Sequence, residues 1–186
     1  MYIASQKRKE NIAEYLLYMW QVEDIIRANC LDIERIKVSV IDHFGLDEPH
    51  RRQLAEWYES LIDMMRREEV VEHGHLQINR NVIIMLEDLH RQLLVDTRFD
   101  DYIKAFYAAL PYIVELRAKS GSEPKGEIET CFNALYGMLM LRIKGQAVSD
   151  ATAEAIKHIS RFIAMLSDYF IRNEHEDIFK AKDEAE

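Results

Sequence analysis

Residues 12–27 read IAEYLLYMWQVEDIIR, and their apolar spacing decides the fold. Ile12, Tyr15, Leu16, Met19, Trp20, Val22 and Ile26 recur at the three- and four-residue steps that put side chains on one face of an α-helix. Leu17, Tyr18 and Ile25 widen that stripe until it nearly circles the axis, the pattern of a helix buried on most sides. The spacing predicts a helix from about Ala4 to Asn29 that is central in an all-α bundle.

The same period continues along the chain. Asp32 is placed to cap a short second helix with Ile36, Val40 and Ile41 facing inward, and Gly45 can stop it in a left-handed conformation. A third helix is expected from Pro49, with Leu54, Trp57, Tyr58, Leu61, Ile62, Met65 and Val70 as its stripe and Gly74 as its end. Ile78, Val82, Met85, Leu86, Leu89 and Leu93 mark a fourth, over about Leu76 to Val95. The fifth starts at Asp100, and Pro111 predicts a kink or break near Ala108 to Leu110, because proline removes one hydrogen bond and crowds the preceding turn. The stretch from Ser120 to Gly126 reads as an exposed loop.

A sixth helix, about Glu127 to Lys144, contains FNALYGMLML and should also be central; the cost of Gly137 inside it implies close approach of another helix. The seventh is capped by Ser149 and buries Ala155, Ile156, Ile159, Phe162, Ile163, Leu166 and Phe170. The two helices after the 120–126 loop are too few to hold a core alone, so residues 1–186 are expected to form one domain of about seven helices, with a charged tail fraying from about 175.

Composition agrees and excludes several classes. With 6 Gly and 3 Pro in 186 residues, the chain lacks the turn formers of an all-β fold. A net charge of -9 disfavours phosphate backbones, and the basic clusters Lys7-Arg8-Lys9 and Arg51-Arg52 read as solvated helix ends, so no nucleic-acid partner is expected. No apolar run reaches the roughly 18 residues of a membrane span, and the charges in MYIASQKRKENIAEYLL fall where a secretory signal needs an apolar core. The two cysteines, Cys30 and Cys131, are distant and read as structural thiols, which suits the cytoplasm.

No catalytic set is legible. Serines are few, no glycine-rich phosphate loop is present, and Cys131 lies on an apolar helix. No cofactor is expected. Tyr, Trp and Met number nine, two and eight, types that favour interfaces. The leading reading is therefore a non-enzymatic binding or scaffolding protein, with a protein partner or a homodimer as one use of that inventory. A second reading is a small-molecule pocket near Tyr18, Gln21, Asn133 and Tyr136, polar groups set among aromatics on the two central helices. Glu23 and Arg27 have ion-pair spacing on the first of these helices. A third reading is a metal site built from two Glu-x-x-His neighbourhoods: Glu72, His73 and His75 at one corner, Glu87 and His90 on the following helix. Its bland alternative is a polar helix corner.

Three strings, SQKRKENIAEYLLYMWQVEDIIRA, EHGHLQ and CFNALYGMLMLRIKGQ, resemble an uncharacterised Bacteroidetes family catalogued as a domain of unknown function. The resemblance covers the whole chain. It implies an all-helical, stand-alone cytoplasmic protein of this length, and it implies no activity, substrate or catalytic residue.

Overall fold

Asn11 ends the first helix sooner than the apolar period suggests. A computed structural model describes residues 2–119 and 125–180, and in it helix α1 (Tyr2–Glu10) and helix α2 (Ile12–Ala28) are separate. The Asn11 side-chain oxygen accepts the Ala13 N–H at 3.0 Å and the Ser167 hydroxyl at 2.9 Å, a local turn that competes with the helical ladder. The remaining helices are α3 (Ile33–Ser39), α4 (Glu48–Arg67), α5 (Gln77–Val95), α6 (Asp100–Lys119), α7 (Glu127–Ile143) and α8 (Asp150–His175). Short 3-10 turns occupy Ile41–Phe44 and Thr97–Phe99. The fold is all-α, with eight α-helices among the described residues against an expected seven or so.

The chain forms two compact units. One comprises Met1–Arg8 with Glu14–Val82, the other Lys9–Ala13 with Ile83–Glu186. In the first, Leu16, Met19, Trp20, Val22 and Ile26 of α2 are buried, as are Tyr58, Leu61, Ile62 and Met65 of α4 at the expected helical spacing. Asp32 caps α3, accepting the Glu34 N–H at 2.9 Å. Gly45 takes φ +61 and ends the following 3-10 turn as expected. Helix α4 stops at Arg67, seven residues before the glycine assigned to that task. Glu69 adopts the left-handed conformation, and the Val70 N–H reaches back to the Met65 carbonyl at 3.0 Å, so Val70 closes the helix instead of extending it.

The second unit is built on α6, α7 and α8, which pack on one another. Tyr102, Ala105, Phe106, Ala109 and Ile113 line the buried face of α6; Ile159, Phe162, Ile163, Leu166 and Phe170 line that of α8. Ser149 caps α8, accepting the Thr152 N–H. Pro111 neither breaks α6 nor ends it. The helix continues unbroken because Pro111 and Tyr107, whose carbonyl loses its partner, are exposed, and water can serve that carbonyl. Beyond α8, Phe179 packs edge-on against Phe99 at 5.4 Å, and Arg98 donates to the carbonyls of Phe179 and Lys180. The rest of the tail, 181–186, and most of the predicted loop, 120–124, lie outside the described residues.

Helix α7 is buried through its first half, at Ile128, Thr130, Cys131 and Phe132, and again at Met138. The close approach expected at Gly137 does not occur: a Cβ built there meets nothing within 4 Å. Gly137 thus carries the entropic cost of glycine without a packing return, and Gly137→Ala should raise stability by about 0.5–1 kcal/mol. A urea titration reads this directly, and a loss of stability would mean that the position is not open.

Candidate functional site

Helix α4 begins at an aspartate. Asp47 accepts the His50 N–H at 3.1 Å and also meets the His50 ring, and Pro49 sits in the first turn, where its missing N–H costs nothing. From that start His50, Gln53, Leu54 and Tyr58 follow at helical spacing, so they share one face. Gly45 turns the chain so that Phe44 and Leu46, on either side of it, approach that face. With Tyr18 of α2 and Ile3 of α1 these side chains enclose a cavity of about 430 Å³ in the first unit. That volume suits a small organic ligand, as does the mostly apolar lining with a few polar groups. Ile3, Phe44 and Leu46 remain substantially exposed, Phe44 at 51 %. Burial raises the Tyr18 phenol above its ordinary range, and burial together with the nearby Tyr18 pushes Tyr58 up to about 12. Both phenols are therefore protonated at neutral pH. A larger depression of about 540 Å³ in the same unit is walled by Asp32, Glu59, Asp63 and Arg66 and lacks this character.

The EHGHLQ corner is organised by a residue 49 positions or more before it. Glu23 is 0 % exposed, and its carboxylate accepts the Leu76 N–H at 3.0 Å and the Asn79 amide at 2.6 Å, and pairs with His75 Nδ1 at 2.6 Å. Leu76 and Asn79 open α5, so Glu23 serves as a helix N-cap supplied from α2, where negative charge is favoured. The His75 ring stacks on Trp20, 4.0 Å between centroids and 9° from parallel. Arg27 does not pair with Glu23 as its spacing suggested. It binds Asp24 at 3.0 Å and the carbonyls of Val70 and Gly74 at 3.1 and 2.5 Å, which ties down the 70–74 loop.

The second unit holds its own buried polar group. His90 Nδ1 lies 2.6 Å from the Tyr102 hydroxyl and its Nε2 lies 3.4 Å from a Glu127 carboxylate oxygen. The carboxylate can only accept, so Nε2 carries the proton and Nδ1 accepts from Tyr102. Phe106 and Phe162 pack edge-on to the ring at 4.8 and 5.5 Å. Burial lowers the His90 pKa, with Glu127 opposing in part, and burial raises those of Tyr102 and Cys131.

The residues singled out from sequence distribute as follows. Tyr18 lines the apolar cavity, and Gln21 is half-buried on the same helix. Asn133 and Tyr136 lie in the second unit, where the Asn133 amide donates to the Glu129 carbonyl of its own helix at 2.9 Å. Glu72 and His73 are exposed, His75 serves Glu23, His90 serves Tyr102 and Glu127, and Glu87 is half-buried beside Gly126. Among the described residues no group of three or more His, Cys, Asp or Glu is placed to hold a metal ion. Cys30, read as a structural thiol, is exposed, whereas Cys131 is buried. Phe44, Leu46, His50, Gln53, Leu54 and Tyr58 went unassigned as site residues. The available signal was the Gly45–Pro49 turn, which brings an aromatic and a leucine against the first turns of an amphipathic helix.

Among the described residues the protein is all-α with no strand, no helix is long and apolar enough to cross a membrane, and the first unit holds an apolar cavity of about 430 Å³. The family model described as Domain of unknown function (DUF4924) matches residues 1–177, and the chain belongs to that family. No curated protein and no solved structure matches it.

Proposed function

We propose that the protein is a non-enzymatic binding protein whose first unit takes a small, mainly apolar ligand in the cavity at Tyr18 and Tyr58. The observation that carries this reading is the cavity itself: about 430 Å³, apolar walls and an accessible mouth at Phe44 and Leu46. It keeps Tyr18 from the sequence-based pocket and replaces its other members with the α4 face. Both cysteines are free thiols, which supports a reducing compartment such as the cytoplasm.

The neutral fluorophore N-phenyl-1-naphthylamine tests it. Wild-type protein should give a saturable, blue-shifted rise in emission at one equivalent. Leu54 is half-buried on the cavity wall, so Leu54→Trp should fill the space, keep the helical circular dichroism and weaken binding at least tenfold. No saturable rise with the wild type, or equal binding by the folded variant, rejects the site.

A further inference from the structure

Two hydroxyls of the cavity-lining residues have no hydrogen-bond partner among the described residues. Tyr58 is 3 % exposed, and among the described residues neither its hydroxyl nor that of Tyr18 has a hydrogen-bond partner. Neither oxygen is among the fully buried polar atoms, so both keep access to solvent and can meet a ligand that displaces it. Both tyrosines line the same cavity, so a ligand there is the partner nearest to hand for them. Among the described residues no lysine, arginine or carboxylate lines the cavity, and the titratable His50 at its edge is already engaged by Asp47. An ionised ligand would find no counter-charge among the lining residues and would meet the full cost of losing water.

Resting on the pocket reading above, we infer that the site selects a neutral ligand with an apolar body and one hydrogen-bond-accepting oxygen, a ketone, aldehyde, ester or amide, received by the Tyr18 and Tyr58 hydroxyls. Both phenols stay protonated well above neutral pH, since burial disfavours the phenolate, so both act as donors. The apolar walls select for size and the two hydroxyls for the accepting oxygen.

Three compounds of one shape separate the possibilities by displacing N-phenyl-1-naphthylamine: 2-acetylnaphthalene, 2-ethylnaphthalene and 2-naphthoate. The ketone should bind about tenfold tighter than the ethyl compound and tighter than the carboxylate, the size expected of two neutral hydrogen bonds. In Tyr18→Phe/Tyr58→Phe the ketone's advantage should vanish while the ethyl compound binds as before. That variant should fold about as well as the wild type, since neither hydroxyl bonds to another described residue and both side chains keep their rings. Equal binding of ketone and ethyl compound by the wild type, an advantage that survives in the double variant, or tightest binding of 2-naphthoate each overturns the inference while leaving an apolar pocket in place. Failure of the fluorophore itself to bind instead rejects the pocket.

Discussion

Glu23→Ala is expected to cost about 3–5 kcal/mol of stability, the sum of two donors left unsatisfied and the void left by the side chain. The loss has three sources. The Leu76 N–H at the start of α5 loses its acceptor, the buried Asn79 amide loses its own, and the removed carboxylate leaves a void beside Trp20 and His75. An unsatisfied buried donor alone costs roughly 1–3 kcal/mol. His75 is partly exposed and can turn to water, so it adds least. Glu23→Gln separates capping from charge: its carbonyl oxygen can still accept from Leu76 and Asn79, and the cost should fall to about 1–2 kcal/mol. Both tryptophans, Trp20 and Trp57, lie in the same unit as Glu23, so urea unfolding followed by tryptophan emission reports on this network. An alanine variant within about 1 kcal/mol of the wild type would show that Glu23 does not hold the start of α5.

The reach of the sequence is visible in that same network. Periodicity located α2, α5, α6 and α8 because burying an apolar stripe leaves a repeating trace in consecutive residues. Caps at Asp32 and Ser149 and the left-handed Gly45 were legible for the same reason, since each acts within three or four residues. Glu23 and the EHGHLQ corner were both noticed, but their pairing spans 52 to 56 positions and no local pattern encodes it. Arg27 was assigned to Glu23 by spacing and went instead to carbonyls 43 and 47 residues away. The break at Asn11 was readable as an Asn N-cap and was masked by the strength of the surrounding apolar period. The cavity is different again. A ligand-sized space is a property of what a fold leaves empty, and Tyr18 was found only because a hydroxyl among aromatics is conspicuous; Tyr58, whose hydroxyl likewise has no partner among the described residues, read as core.

The second large effect lies at His90, where acid should destabilise the wild-type protein in a defined window. Burial between Phe106 and Phe162 lowers the His90 pKa below its ordinary 6.5, with Glu127 opposing and Arg91 adding to the lowering. The unfolded chain therefore binds a proton at a pH where the folded chain does not, and stability falls as protons become available. Full stability is present above about 6.5, the loss builds as pH drops below that value, and it levels off once the folded-state histidine also titrates. Glu87 works in the opposite sense. Burial raises its pKa above 4.5, so its contribution is present at low pH and lost as pH rises through the folded value. The two are separated by substitution. His90→Gln keeps an acceptor for the Tyr102 hydroxyl and should cost about 1–2 kcal/mol at pH 7.5, while His90→Ala, which leaves a cavity and an unpaired phenol, should cost about 3–4 kcal/mol. Glu87 is unchanged in both, so its pH dependence cancels in the difference. Urea unfolding followed by circular dichroism between pH 7.5 and 5 should show the gap between wild type and His90→Gln closing as pH falls, because only the wild type carries the cost of keeping His90 neutral. Parallel curves across that interval would mean that the His90–Tyr102 pair is not held neutral in the folded protein.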